Sequence, residues 1–115
     1  MKVSKSVAKD IILEVILFAL WVGLVSTLYH NYMLLMGCLA FVLIVMLFLW
    51  HDKDDVYMVI AGAIIGPIAE IICVNAGAWS YAVPNIFGIP YWLPFAWGAA
   101  GLLLKRAVET YFKIK

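Results

Sequence analysis

The sequence predicts an all-α, polytopic membrane protein: a bundle of four transmembrane helices with a structured outer loop rich in aromatics, proline and glycine. Three observations predict it. Of 115 residues, 67% are hydrophobic and only 13% are charged, against about 25% charged in a soluble domain. The apolar residues fall into four runs of span length or close to it. Every Lys and Arg lies in one of three regions that four crossings would place on the same side. The chain reads as one transmembrane domain, residues 1–115, with no linker, internal repeat or low-complexity segment. A net charge of +1 supplies no basic field for nucleic acid.

The first run, Ile11 to Leu28, is broken only by Glu14. It is as long as a full span and more spans follow, so it reads as a retained helix and not a signal peptide. Tyr29-His30-Asn31 makes a short connection. The second run, Met33 to Trp50, has no charge, and His51-Asp52-Lys53-Asp54-Asp55 reads as a solvated loop. The third run, Val56 to Ala76, is interrupted by Pro67, Glu70 and Asn75. Each of these runs covers about 27–32 Å as a helix. The fourth begins near Pro90 and covers about 20 Å from Tyr91 to Leu104. Snorkelling of Lys105 and Arg106 extends it toward Val108. The expected spans are therefore residues 11–28, 33–50, 56–76 and 90–108. Pro90 and Pro94 suit a first helical turn, where a missing N–H costs little. The tail from Arg106 to Lys115 continues the fourth helix along the interface.

Lys2, Lys5 and Lys9 precede the first span, and Lys53 lies between the second and third. Lys105, Arg106, Lys113 and Lys115 follow the fourth. The positive-inside rule places these regions, and both termini, in the cytoplasm of a cell membrane. Trp50, Tyr57, Trp79, Tyr91 and Trp92 fall near the expected interfaces, as aromatic belts do.

Glu70 is the leading candidate site residue. It lies about 21 Å from the start of the third run, in the outer half of the bilayer. An acid there is expected to be protonated, paired or turned to a wet cavity. Gly62 and Gly66 share its helix face at i, i+4 spacing. Their Gly-x-x-x-Gly lets another helix approach closely, for packing within the chain or in a dimer. Pro67 frees the Ala63 carbonyl, which marks the same face as inward. Asn75 points about 140° away from Glu70 on a regular helix. It joins the site if the helix unwinds early, and otherwise ends the span as an interfacial amide. Glu14 lies about 7.5 Å past Lys9, shallow enough to be solvated from the cytoplasm. It sits in the other half of the bilayer from Glu70, with no polar residues to bridge the two. The segment Gly77 to Gly98 carries no charge. It is expected to fold back and cover Glu70, either as a pocket wall for an apolar ligand or as an interfacial anchor. His30 and His51 lie at opposite membrane edges, and Cys38 and Cys73 read as buried free thiols. No metal site and no cofactor motif is expected.

Glu70, then Gly77-x-Trp79-x-Tyr81, then Gly88-Ile89-Pro90 and Trp97 resembles the carotenoid hydratase-type membrane proteins. The same stretch also looks like the small-subunit lycopene cyclases. The resemblance covers about residues 66–98. It implies that Glu70 is a catalytic acid protonating an isoprenoid double bond, with Trp79 and Tyr81 lining the pocket and stabilising the cation. The Pro-x-Glu-Glu element of the cyclases is not matched, since the nearest stretch reads Pro94-Phe95-Ala96-Trp97. Hydratases are longer, so these four spans would form part of a site completed by a second copy or another subunit.

The functional expectation is a pocket for an isoprenoid or other lipid, in a carotenoid-cyclase- or hydratase-like subunit or a pure binding protein. Glu70 is its acid, and Trp79, Tyr81, Asn75, Pro90, Trp92 and Trp97 are its ligand-binding set. The alternatives are a small oligomeric transporter or channel using Glu70 as a proton or cation site, and a non-catalytic subunit of a membrane complex. The expected partners are membrane lipid, an isoprenoid ligand, and a second copy or a partner membrane subunit.

Overall fold

The computed structural model describes residues 3–115. Four helices make up its regular structure: α1 Lys5–Leu28, α2 Tyr32–Leu49, α3 Lys53–Asn75 and α4 Leu93–Ile114. Besides these, the described residues hold one isolated β-bridge, between Ile86 and Ile89. The molecule measures 45 × 25 × 25 Å, the outline of helices packed side by side.

Local chemistry sets the helix ends. The Ser4 hydroxyl accepts from the Val7 N–H at 3.1 Å and caps α1. Asn31 does the same for α2 through the Leu34 N–H at 3.2 Å. Both satisfy donors that have no partner inside the helix. α3 starts at Lys53, so Asp54 and Asp55 belong to its first turn. The expected solvated loop is therefore corrected: Asp55 accepts from the Asp52 N–H at 2.9 Å and is fully buried. Gly77, at φ +88, ends α3. Its N–H donates to the Val74 carbonyl and the Ala78 N–H to the Cys73 carbonyl, both at 3.0 Å. This is a Schellman motif, which a Cβ at the left-handed position would strain. α4 takes Pro94 in its first turn and runs on through the charged tail to Ile114.

The connections between α1, α2 and α3 are short, and cross-helix ion pairs gather the far ends. Lys113 lies 3.0 Å from Asp10, and Arg106 lies 3.4 Å from Asp52. The start of α1, the α2–α3 connection and the end of α4 thus share one end of the molecule, here called the basic end. The segment 76–92 occupies the opposite loop end. α4 packs against all three other helices, most extensively against α3.

Glycines set the α3–α4 spacing. A Cβ on Gly62 would strike the Trp97 carbonyl oxygen, and one on Gly66 would strike the Trp97 indole. From the α4 side, a Cβ on Gly101 would lie 2.9 Å from the Met58 carbonyl oxygen. The Gly-x-x-x-Gly is therefore used within the chain. Two buried clusters flank this seam. One, toward the basic end, includes Val42, Met46, Val59 and Leu102. The other, at the loop end, joins Leu35 and Leu39 to Ile89, Trp92 and Ala96.

The outer surface is apolar, with Phe48 78% and Ile65 66% exposed. α1, α2 and α3 are each long and apolar enough to cross a membrane, and little of their apolar length is buried inside the molecule. A contiguous apolar exterior of this kind marks contact with lipid or another apolar surface.

Candidate functional site

Glu70 sits near the loop end of α3 and is 9% exposed. Three aromatic side chains hold its carboxylate. Trp79 donates its indole N–H to Oε1 at 3.2 Å, and the Tyr81 hydroxyl donates to the same oxygen. Trp97 donates its indole N–H to Oε2 at 2.5 Å. An indole N–H only donates, whereas a phenol can give or accept. The shell is thus the complement of a carboxylate.

Backbone features of the sequence build this shell. The turn at Gly77 reverses the chain at the end of α3 and returns Trp79 and Tyr81 over Glu70. Gly66, one helical turn before Glu70, makes room for the Trp97 indole. Asn75 anchors the returning loop: its amide donates to the Ile71 carbonyl at 2.7 Å and to the Phe87 carbonyl at 3.1 Å. Phe87 and Gly88 both have positive φ in the Ile86–Ile89 turn, the pattern of a tight primed hairpin turn. Asn85 closes the loop by accepting from the Tyr91 N–H at 2.9 Å. Burial, followed by the hydrogen bond to Glu70 and its charge, pushes the Tyr81 phenol well above its usual range. Tyr81 therefore remains a neutral hydroxyl.

A cavity of about 390 Å³ opens beside Glu70, walled by Trp21 and Val25 of α1, Tyr81 and Trp92 of the loop segment, and Trp97 of α4. Of the residues expected from sequence, Glu70, Tyr81, Trp92 and Trp97 meet here. Trp79 bonds Glu70 from outside the cavity wall. Asn75 stays on the regular helix and ties down the loop. Pro90 precedes α4 instead of joining its first turn, is almost fully buried, and borders a neighbouring hollow with Val25, Tyr81 and Trp92. The α1 wall was missed. Trp21 lies mid-run, far from either interface where tryptophans gather, and that position was its available signal.

A second polar cluster lies at the basic end. Lys105 is 2.6 Å from Asp55, the Arg106 guanidinium grips both Asp55 oxygens, and Glu109 lies 2.5 Å from Lys105. The Arg106 guanidinium also stacks 5.4 Å from the Trp50 ring centre. Nearby, Thr110 donates to Glu14 at 2.6 Å, so the shallow acid of α1 is held by α4. These contacts join helices; Lys105 and Glu109 also border a hollow between α3 and α4 lined mainly by Tyr57, Met58, Leu104 and Phe112. No group of three or more His, Cys, Asp or Glu among the described residues has the arrangement of a metal site.

The model of a family described as "Protein of unknown function (DUF817)" matches residues 3–115. The chain belongs to this family. The match takes in all four helices and the Glu70 loop, so the family covers the fold as one unit. No curated protein and no solved structure matches the chain.

Proposed function

We propose that this member of the family is a four-span membrane protein that holds a lipid-phase ligand, an isoprenoid or another lipid, in the cavity beside Glu70. One observation carries the reading: a buried carboxylate, fixed by aromatic donors on both oxygens, opens onto an apolar cavity. Such convergence of one polar group and rigid apolar walls is the usual form of a small-molecule site. A fourth crossing by α4 is supported by its packing against all three other helices, although its apolar stretch, residues 93–104, covers only about 18 Å and needs Lys105 and Arg106 to snorkel. The clustering of Lys and Arg supports a cytoplasmic basic end.

The catalytic form of this reading has Glu70 protonate a double bond, as the resemblance to carotenoid hydratases implies. The proton would sit on Oε1, where the Tyr81 oxygen can turn acceptor while both indoles go on donating. The aromatic walls would stabilise the resulting positive charge. In the binding form the same groups only hold the ligand. The test is mass spectrometry of small molecules that co-purify with wild type and with Glu70→Gln from an isoprenoid-producing host. A stoichiometric ligand on wild type, reduced or chemically altered on the variant, is expected. Only bulk phospholipid on both would contradict the proposal.

A further inference from the structure

Of the polar side chains that wall the Glu70 cavity, Trp97, Tyr81 and Ser26 already donate within the protein, and only the carboxylate can carry charge. The Trp97 N–H and the Tyr81 hydroxyl are spent on Glu70. The Ser26 hydroxyl donates to the Val22 carbonyl at 2.7 Å. The Trp21 and Trp92 indole nitrogens are buried and unpartnered. Both nitrogens have almost no exposed surface, although Trp21 and Trp92 wall the cavity. Apart from these two buried indole N–H groups, no side-chain donor of the wall is left for a carbonyl, ether or alcohol oxygen entering from the membrane. What the void offers is an acid surrounded by aromatic carbon.

The acid also lacks a protein counter-charge. Among the described residues Glu70 makes no ion pair, while Lys105, Arg106 and Lys113 are paired at the basic end. A carboxylate flanked by aromatic rings in an apolar site complements an organic cation through charge and cation–π attraction. The cavity continues along the molecule. A second hollow of about 500 Å³ shares Trp21, Trp97 and Ala100 with the first and extends between α1 and α4 to Glu14 and Leu104.

We propose that the Glu70 cavity takes an amphiphilic organic cation. Its ammonium head rests against the carboxylate and the Trp21, Trp92 and Trp97 rings, and its chain lies along the α1–α4 seam toward Glu14. The inference rests on the binding form of the proposed function, not the proton-donating one, and narrows that ligand to a charge class.

The test uses the full chain in phospholipid nanodiscs, with empty nanodiscs as the partition blank. Three probes of equal chain length are titrated: hexadecyltrimethylammonium, hexadecanol and hexadecyl sulfate. Saturable binding of the cation, at least tenfold tighter than either other probe, is expected. Glu70→Gln should remove that preference. Ala100→Phe, which fills the seam without substituting Glu70 or any of its three donors, should weaken the cation at least tenfold as well. Equal binding of cation and hexadecanol, unchanged in Glu70→Gln, would overturn the charge class and leave the ligand site standing. Saturable cation binding that Ala100→Phe leaves intact would overturn the placement of the chain. Failure of wild type to bind any probe saturably would overturn the inference and count against the site itself.

Discussion

At Glu70 the three hydrogen-bond partners are not equivalent. Trp97 reaches Oε2 from α4, across the α3–α4 seam, and it alone serves that oxygen. Trp79 and Tyr81 share Oε1. Trp97→Phe therefore leaves a buried carboxylate oxygen without a donor, whereas Trp79→Phe leaves Tyr81 in place. A lost hydrogen bond to a buried group costs about 1–3 kcal/mol, more where the group is charged. Thermal unfolding in mild detergent should fall well below wild type for Trp97→Phe and only slightly for Trp79→Phe. Equal shifts would count against the assigned division. Asp55 presents the same logic at the other end. Its side chain is fully buried and faces both Lys105 and Arg106. Removing one partner of a buried ion pair costs about 3–5 kcal/mol. Asp55→Ala should lower the unfolding midpoint more than Asp54→Ala, since Asp54 is exposed on the same first turn.

Among the elements, the α3–α4 pair carries the architecture. Gly62 meets the Trp97 backbone, which cannot yield without moving α4, while Gly66 meets the Trp97 side chain, which can rotate. Gly62→Ala should therefore destabilise the fold, by about 1–3 kcal/mol if it behaves as overpacking does elsewhere. Gly66→Ala should instead push the indole off Glu70 and reduce ligand retention with a smaller loss of stability. Comparing unfolding midpoints and co-purified ligand for the two variants separates these effects. The three most apolar helices were legible because apolar run length and uninterrupted hydropathy determine them. So was the Glu70 face, through the spacing of Gly62, Gly66 and Glu70. The three donors Trp79, Tyr81 and Trp97 and the cavity residue Trp92 were legible because they lie within 27 residues of Glu70. Trp21 approaches from a helix some 50 residues away, about as far as α1 lies from α3 in the chain, and no local pattern marks such a pairing. Asp55 was misread because its loop-like neighbours are polar, while its burial depends on two cations fifty residues later.

For the molecule as a whole, the four helices place two chemically different ends at opposite ends of a body 45 Å long. One is knitted by ion pairs, and the other is closed by an uncharged aromatic loop. The proposed orientation puts the loop outside. A single cysteine at Ser80, in a background with Cys38 and Cys73 replaced by alanine, should react with an impermeant maleimide on intact cells. A cysteine at His51 should react only after lysis. The opposite pattern would invert the topology without touching the site. The central claim is the shell around Glu70, and its most direct measurement is the indole N–H spectrum of protein with ¹⁵N-labelled tryptophan. The chain has five tryptophans, so five signals are available for assignment by single substitution. The structure predicts that Trp79 and Trp97 resonate downfield of the rest as hydrogen-bonded donors, and that Glu70→Gln moves these two most. If those two signals sit with the others and ignore the substitution, the carboxylate is not held by the indoles, and the site built on it falls.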